Sequence, residues 1–208
     1  MLCYVFSKSN YNYICWLDDD TEVNHDFLHE LSKASLKEAD LIVPRIYGQD
    51  GKIYSPNEDG LLKNKLVLND GNIIRKDKFN AINSCLTVKL KIYENYRYNE
   101  TLFLDQVDQL FFDCLEKSYL KICILDTVIL QDFSQRNENI GTDYLQRFLI
   151  RTKDLIHYGK ISPKNNVILT YLKNILLGLD FTLKTRCRTY FFIGASSIKY
   201  LFRRSGDD

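Results

Sequence analysis

An apolar run that breaks directly into three aspartates constrains this chain most: Ile14-Cys15-Trp16-Leu17-Asp18-Asp19-Asp20-Thr21. The apolar half reads as a buried strand. Three adjacent carboxylates repel one another and lose hydration near a core, so such a strand end asks for a counter-charge. Alternate side chains of a strand share a face, which lets Asp18 and Asp20 converge on one cation while Asp19 points away. Hard oxygen ligands of this kind suit Mg²⁺ or Mn²⁺, ions that usually accompany a phosphate-bearing substrate. The first expectation is therefore a metal–diphosphate site.

The remaining composition narrows the class. Among 208 residues, 14 Tyr and 12 Phe supply a core, while nine Gly and three Pro leave little room for disorder. A formal charge of +1 gives no pull toward nucleic acid, and none is expected as a partner. Cys3, Cys15, Cys85, Cys114, Cys123 and Cys187 form no C-x-x-C pair, so buried, reduced thiols of a cytoplasmic protein are expected. The apolar stretch 1–6 is too short for a secretory signal, and no run approaches the length of a membrane span.

Along the chain, Asn24 is placed to cap a helix over 25–35 with Phe27, Leu28 and Leu31 inward. Asp40 to Pro44 reads as a short strand stopped by proline, and 48–72 as loops and hairpins. Residues 81–88 read as a strand, and Val107, Leu110, Phe111 and Cys114 as a helix face. Residues 120–130 are β-branched and apolar, a further strand ending at Gln131-Asp132. This order predicts a mixed α/β layer fold. From Tyr144 onward the chain turns helical, aromatic and cationic, with nine Lys and Arg against three Asp between 160 and 208. Such a segment suits either an anionic membrane face or a solvated helical hairpin closing the domain.

Three acidic points fall at strand ends: Asp18/Asp20, Asp105/Asp108 and Asp132. Ligands of open α/β sheets gather at such ends. One carboxylate pair there can hold a cation against a diphosphate while another acts as general base on a hydroxyl. Rival motifs fail on the residues at their required positions. An EF-hand starting at Asp18 needs glycine and glutamate where Val23 and His29 stand. A D-x-D-x-T phosphatase needs threonine where Glu22 stands. His25 and His29 have the zincin spacing, but Asp26 follows the first histidine in place of glutamate. Asp105 and Asp108 also fit a helix cap and its third position, and spacing alone favours capping.

With these residues in hand, the chain resembles the family-2 inverting glycosyltransferases of the GT-A fold, above all the rhamnosyltransferase-like and galactofuranosyltransferase-like branches of bacterial surface polysaccharide synthesis. Tyr13 to Thr21 resembles the strand that runs into the family's D-x-D motif. Ile82-Asn83-Ser84-Cys85-Leu86 is similar to its donor-sugar strand, where members usually carry Ser-Gly. Phe103-Leu104-Asp105-Gln106-Val107-Asp108 resembles its F-I-D-Y-V-D segment. Val128 to Asp132 resembles a strand ending that often carries a metal-binding histidine, and Arg147 to Arg151 a later R-Y-Y-x-x-R-N segment.

The resemblance implies roles. Asp18, Asp19, Ser84 and Cys85 would bind the donor; Asp20, Asp18 and Asp132 would ligate Mn²⁺ or Mg²⁺. Asp108 would be the catalytic base, reversing the capping preference, and Asp105 would orient the acceptor. The implied partners are a nucleotide-sugar donor and a glycan or lipid-linked acceptor at the inner face of the plasma membrane. Members carry a long nucleotide-binding segment ahead of the D-x-D strand, where 17 residues precede Asp18 here. The expectation is thus an N-terminally truncated GT-A-like domain over 1–143, its mixed sheet flanked by helices, with a basic aromatic helical extension over 144–208. The rival expectation is an inactive remnant or accessory subunit that binds glycan or a partner chain.

Overall fold

A computed structural model describes residues 11–18, 21, 23, 25–59, 64–68, 73–74, 77–131 and 144–202. Contacts divide these into two compact units, 11–97 with 115–131, and 98–114 with 144–202. The segment 98–114, which carries Asp105 and Asp108 and is expected within 1–143, belongs with the C-terminal helices.

The first unit is a mixed sheet. Its strands are β1 (Tyr13–Cys15), β2 (Leu41–Gly48), β3 (Ile53–Ser55), β4 (Asn57–Glu58), β5 (Lys65–Leu66), β6 (Ile73–Ile74), β7 (Phe79–Asn80), β8 (Thr87–Lys89) and β9 (Ile122–Gln131). The main sheet runs β1-β8-β2-β9-β6 with β3 on β2, and β5-β4-β7 form a small second sheet. β2 and β9 pair in parallel and their other neighbours antiparallel. Helix α1 (His25–Leu36) packs on β9 and β2. Central parallel strands read as continuous apolar runs, and Leu41, Ile42, Val43, Ile122, Cys123, Ile124 and Leu125 are all buried.

Three expectations change here. On α1, Phe27 and Ala34 are buried while Leu28 is 60% exposed, because the seven-residue step keeps one face inward and leaves Leu28 a hundred degrees away. The Asn24 cap lies outside the described residues. Pro44 does not end its strand. The β2–β9 register jumps from Val43↔Ile124 to Arg45↔Val128, so the position without an N–H falls where the ladder is interrupted. Arg45 then reaches across to Asp126 at 3.0 Å. The strand expected over 81–88 shrinks to β8, because 83–86 form a turn closed by Leu86 N–H to the Asn83 carbonyl (3.1 Å). Of the described cysteines, all free, Cys85 and Cys123 are buried, Cys15 and Cys187 half-buried, and Cys114 exposed.

The second unit is helical: α2 (Val107–Cys114), α3 (Leu145–Ile161), α4 (Val167–Thr185), α5 (Thr189–Ser196) and α6 (Lys199–Phe202). Leu102 and Leu110 pack with Leu155 and Tyr158, which is why 98–114 joins this unit. Tyr144, Phe148, Phe181 and Tyr190 form a second cluster, with the Tyr144 and Phe181 rings stacked at 5.4 Å. No described helix is long and apolar enough to cross a membrane.

α4 and α5 approach closely through glycine. A Cβ on Gly178 would sit 2.7 Å from the Tyr190 carbonyl oxygen, and one on Gly194 would sit 2.5 Å from that of Asn174. Backbone cannot yield as a side-chain tip can. Gly178→Ala is therefore expected to destabilise the protein by about 1–3 kcal/mol, the usual cost of overpacking, read from urea denaturation. An unchanged midpoint would mean the two helices separate freely.

Candidate functional site

In the sheet unit, three chain segments meet at Asp18. β1 pairs with β8 in the register Ile14↔Val88, and Trp16 N–H extends that pairing to the Leu86 carbonyl (2.9 Å). The end of β1 is thereby laid beside the 83–86 turn. The Asp18 Oδ2 accepts from Ser84 Oγ at 2.8 Å and from the Gln131 amide at 3.2 Å, at the far end of β9. Thr21 Oγ1 lies 3.1 Å from Ser84 Oγ. Since a serine hydroxyl has one proton and Ser84 gives it to Asp18, Thr21 donates to Ser84. Thr21 N–H also closes back on the Asp18 carbonyl at 3.2 Å.

Asp18, Ser84 and Cys85 are therefore brought together as adjacent parts of one strand-end cluster. Asp19, Asp20 and Asp132 lie outside the described residues. Among the described residues no group of three His, Cys, Asp or Glu side chains is placed to hold a metal ion. Gln131 is the member that sequence reading passed over in favour of its neighbour Asp132; a glutamine at a strand end carries no signal of its own.

Cys85 stands with φ +57°, in the left-handed region. Such a conformation costs a side-chain-bearing residue about 1–2 kcal/mol and suits glycine. Burial pushes its thiol up to about 12, with Cys15 and Asp18 adding to the effect. It is a packed, protonated thiol and not a nucleophile.

In the helical unit a buried carboxylate organises the other acidic motif. Asp154, on α3, is fully buried and accepts three consecutive backbone N–H groups: Phe103 at 3.2 Å, and Leu104 and Asp105 at 2.8 Å each. The chain then turns through Gln106 at φ +67° into α2. The first helical bond, Leu110 N–H to the Gln106 carbonyl (2.9 Å), makes Gln106 the residue before the helix. Asp105 is accordingly not its cap. Capping fails at that position because the turn falls one residue later than the spacing suggests. Asp108 accepts from the N–H of its own neighbour Gln109 at 2.8 Å.

Asp105 instead faces α3. Its side chain is 14% exposed, with Oδ1 3.9 Å from the Arg147 guanidinium. Its Oδ2 and the Arg147 Nε are both buried without a hydrogen-bond partner. Burial raises the Asp105 carboxyl above its usual range, Arg151 and Arg147 oppose the rise, and Asp154 adds to it. Arg147, Arg151 and Asp154 recur on one side of α3, so that helix face sets the electrostatics of the 103–108 segment. Sequence reading noticed the two arginines through the family resemblance and missed Asp154.

A carboxyl raised on folding favours the protonated form in the native state. Its contribution is fully present below the unfolded pKa and is lost as pH rises through the folded one. Asp105→Asn removes that loss. The stability of the variant relative to the parent is thus expected to rise as pH climbs past about 4, the ordinary aspartate value, and through the raised folded one, followed by urea denaturation at several pH values. A flat difference would mean that the arginines fully offset the burial.

No family model matches the chain, and no curated protein does. Among solved structures it is similar to S. aureus TarS. The structure of TarS residues 1–349 with UDP is 13% identical with a TM-score of 0.42, over 95% of this chain and 67% of that one. The same piece with UDP-GlcNAc gives 13% and 0.40, over 95% and 68%. Against TarS without a residue range the chain spans 40% of its length. At this depth the likeness leaves the family open.

Proposed function

We propose that this chain moves a sugar from a nucleotide-activated donor to a glycan or lipid-linked acceptor, with inversion, in surface polysaccharide synthesis. The observation that carries the reading is the meeting of Asp18, Ser84 and Gln131, which joins two segments that the family resemblance marks as donor-binding to one that it marks as metal-binding. In this reading Asp18 faces the nucleotide's ribose or base, with Asp19, Ser84 and Cys85 beside the donor. The acceptor hydroxyl attacks the anomeric carbon in line, the bond to the nucleoside diphosphate breaks, and Asp108 takes the hydroxyl proton. Asp105 holds the acceptor sugar, its position fixed through the Asp154 carboxylate.

By residue type, Asp18, Asp20 and Asp132 would suit a hard divalent cation. Mn²⁺ or Mg²⁺ bound there would supply charge neutralisation for the leaving diphosphate. A lipid-linked acceptor would bring the chain to the inner face of the plasma membrane.

The test is release of nucleoside diphosphate from a panel of nucleotide sugars when glycan acceptors are added. Release that depends on both substrates supports the transferase. Turnover of a generic phosphate ester with the donors intact would mark a phosphohydrolase. No turnover of any kind would mark a non-catalytic subunit that binds glycan or a partner chain.

A further inference from the structure

We propose that α4 is a self-association helix, pairing antiparallel with α4 of a second copy of this chain. The helix buries Thr170, Asn174, Gly178 and Phe181, and packs against α3 and α5. Leu169, Leu172, Leu176, Leu179 and Leu183 lie on the opposite side and are 41–80% exposed. A helix apolar on both sides is one that is covered on both sides. The leucines are spaced three, four, three and four residues apart, the repeat that keeps a seam turned toward one partner helix. With the adjoining Ile168 they expose on the order of 700 Å² of apolar surface, beyond the largest patch of a typical monomer. Two such faces reach roughly the 1,200 Å² at which specific interfaces begin.

Charge selects the partner and its direction. Lys173 and Asp180 lie seven residues apart along one edge of the seam, and the other edge carries Ile175 and Thr182. About a twofold axis near Leu176, antiparallel packing sets Lys173 of each copy against Asp180 of the other, twice. Parallel packing would set both against the uncharged edge. Asp180 already accepts from Lys184 within its own helix at 2.6 Å, and Lys173 of the second copy would add a second donor. An anionic bilayer fits this face less well, since Asp180 stands at its rim and cations flank one edge alone. The seam stands whether or not the chain transfers sugar.

Sedimentation equilibrium on the full chain tests this, with Leu172→Gln/Leu176→Gln, Lys173→Asp and Lys173→Asp/Asp180→Lys beside the parent. The parent is expected to be a dimer at about 100 µM, the leucine variant a monomer with an unchanged melting temperature. Lys173→Asp should weaken the dimer about tenfold and the double swap should restore it. Should the leucine variant fail to fold, the charge swap and its rescue carry the test, since both residues are exposed. Burial of the Lys173 ammonium, together with the nearby Arg151, holds its pKa below the usual value. A parent monomeric at about 100 µM overturns the proposal, as does a dimer indifferent to all three variants. A monomeric parent that binds phosphatidylglycerol vesicles through the same leucines overturns it too and assigns the face to lipid.

Discussion

Asp154→Ala is expected to cost about 3 kcal/mol or more of folding free energy, because it removes the shared acceptor of three backbone donors at once. The N–H groups of Phe103, Leu104 and Asp105 all end on this one carboxylate, which is fully buried within α3. Most side-chain deletions leave one orphan. This one leaves three and also frees the segment that aims Asp105 and Asp108. Asp154→Asn keeps one acceptor oxygen but turns an amide donor toward one of the N–H groups, so it should fall between the parent and alanine. Urea denaturation gives the free energies, and amide hydrogen exchange at 103–105 gives the local loss of protection. A change within about 0.5 kcal/mol would show that water satisfies this segment instead.

The largest effect on activity belongs to Asp108→Asn. If Asp108 takes the acceptor proton, its amide should lower transfer by about 10²–10⁴-fold, the usual worth of a general base. The fold should scarcely notice. Asparagine keeps an oxygen for the Gln109 N–H, the interaction that Asp108 makes at the start of α2. The melting temperature is therefore expected to stay near that of the parent while product formation disappears. A marked fall in stability with transfer preserved would instead make Asp108 a helix-terminus residue and would return Asp105 as the candidate base.

The sequence was informative where one local pattern dominates. The β-branched run of β9 and the inward residues Leu110 and Phe111 of α2 carry their pattern openly. The apolar run ahead of Asp18, read as a buried strand, is instead a half-buried strand at the end of the described sheet that stops at Cys15 and leaves Leu17 exposed. The sequence was misleading where tertiary context decides. Pro44 reads as a stop because its missing N–H is harmful in a regular ladder, yet the ladder is interrupted at that position. Residues 81–86 read as strand because nothing in Ser84-Cys85 announces a left-handed turn without glycine. Asp105 reads as a cap because the positive φ of Gln106 is invisible in one dimension. Asp154 was illegible for a related reason. A lone acid on a helix reads as solvated until a loop fifty residues upstream folds its amides onto it.

The central claim is that the strand-end cluster of Asp18, Ser84 and Gln131 receives a nucleotide-activated sugar together with a divalent cation. Isothermal calorimetry with a panel of nucleotide sugars, with and without Mn²⁺, tests it most directly when the parent is set beside Asp18→Asn. Mn²⁺-dependent binding of at least one donor by the parent, lost in the variant, is the expected result. Silence toward every donor, or binding that Asp18→Asn leaves intact, would contradict it.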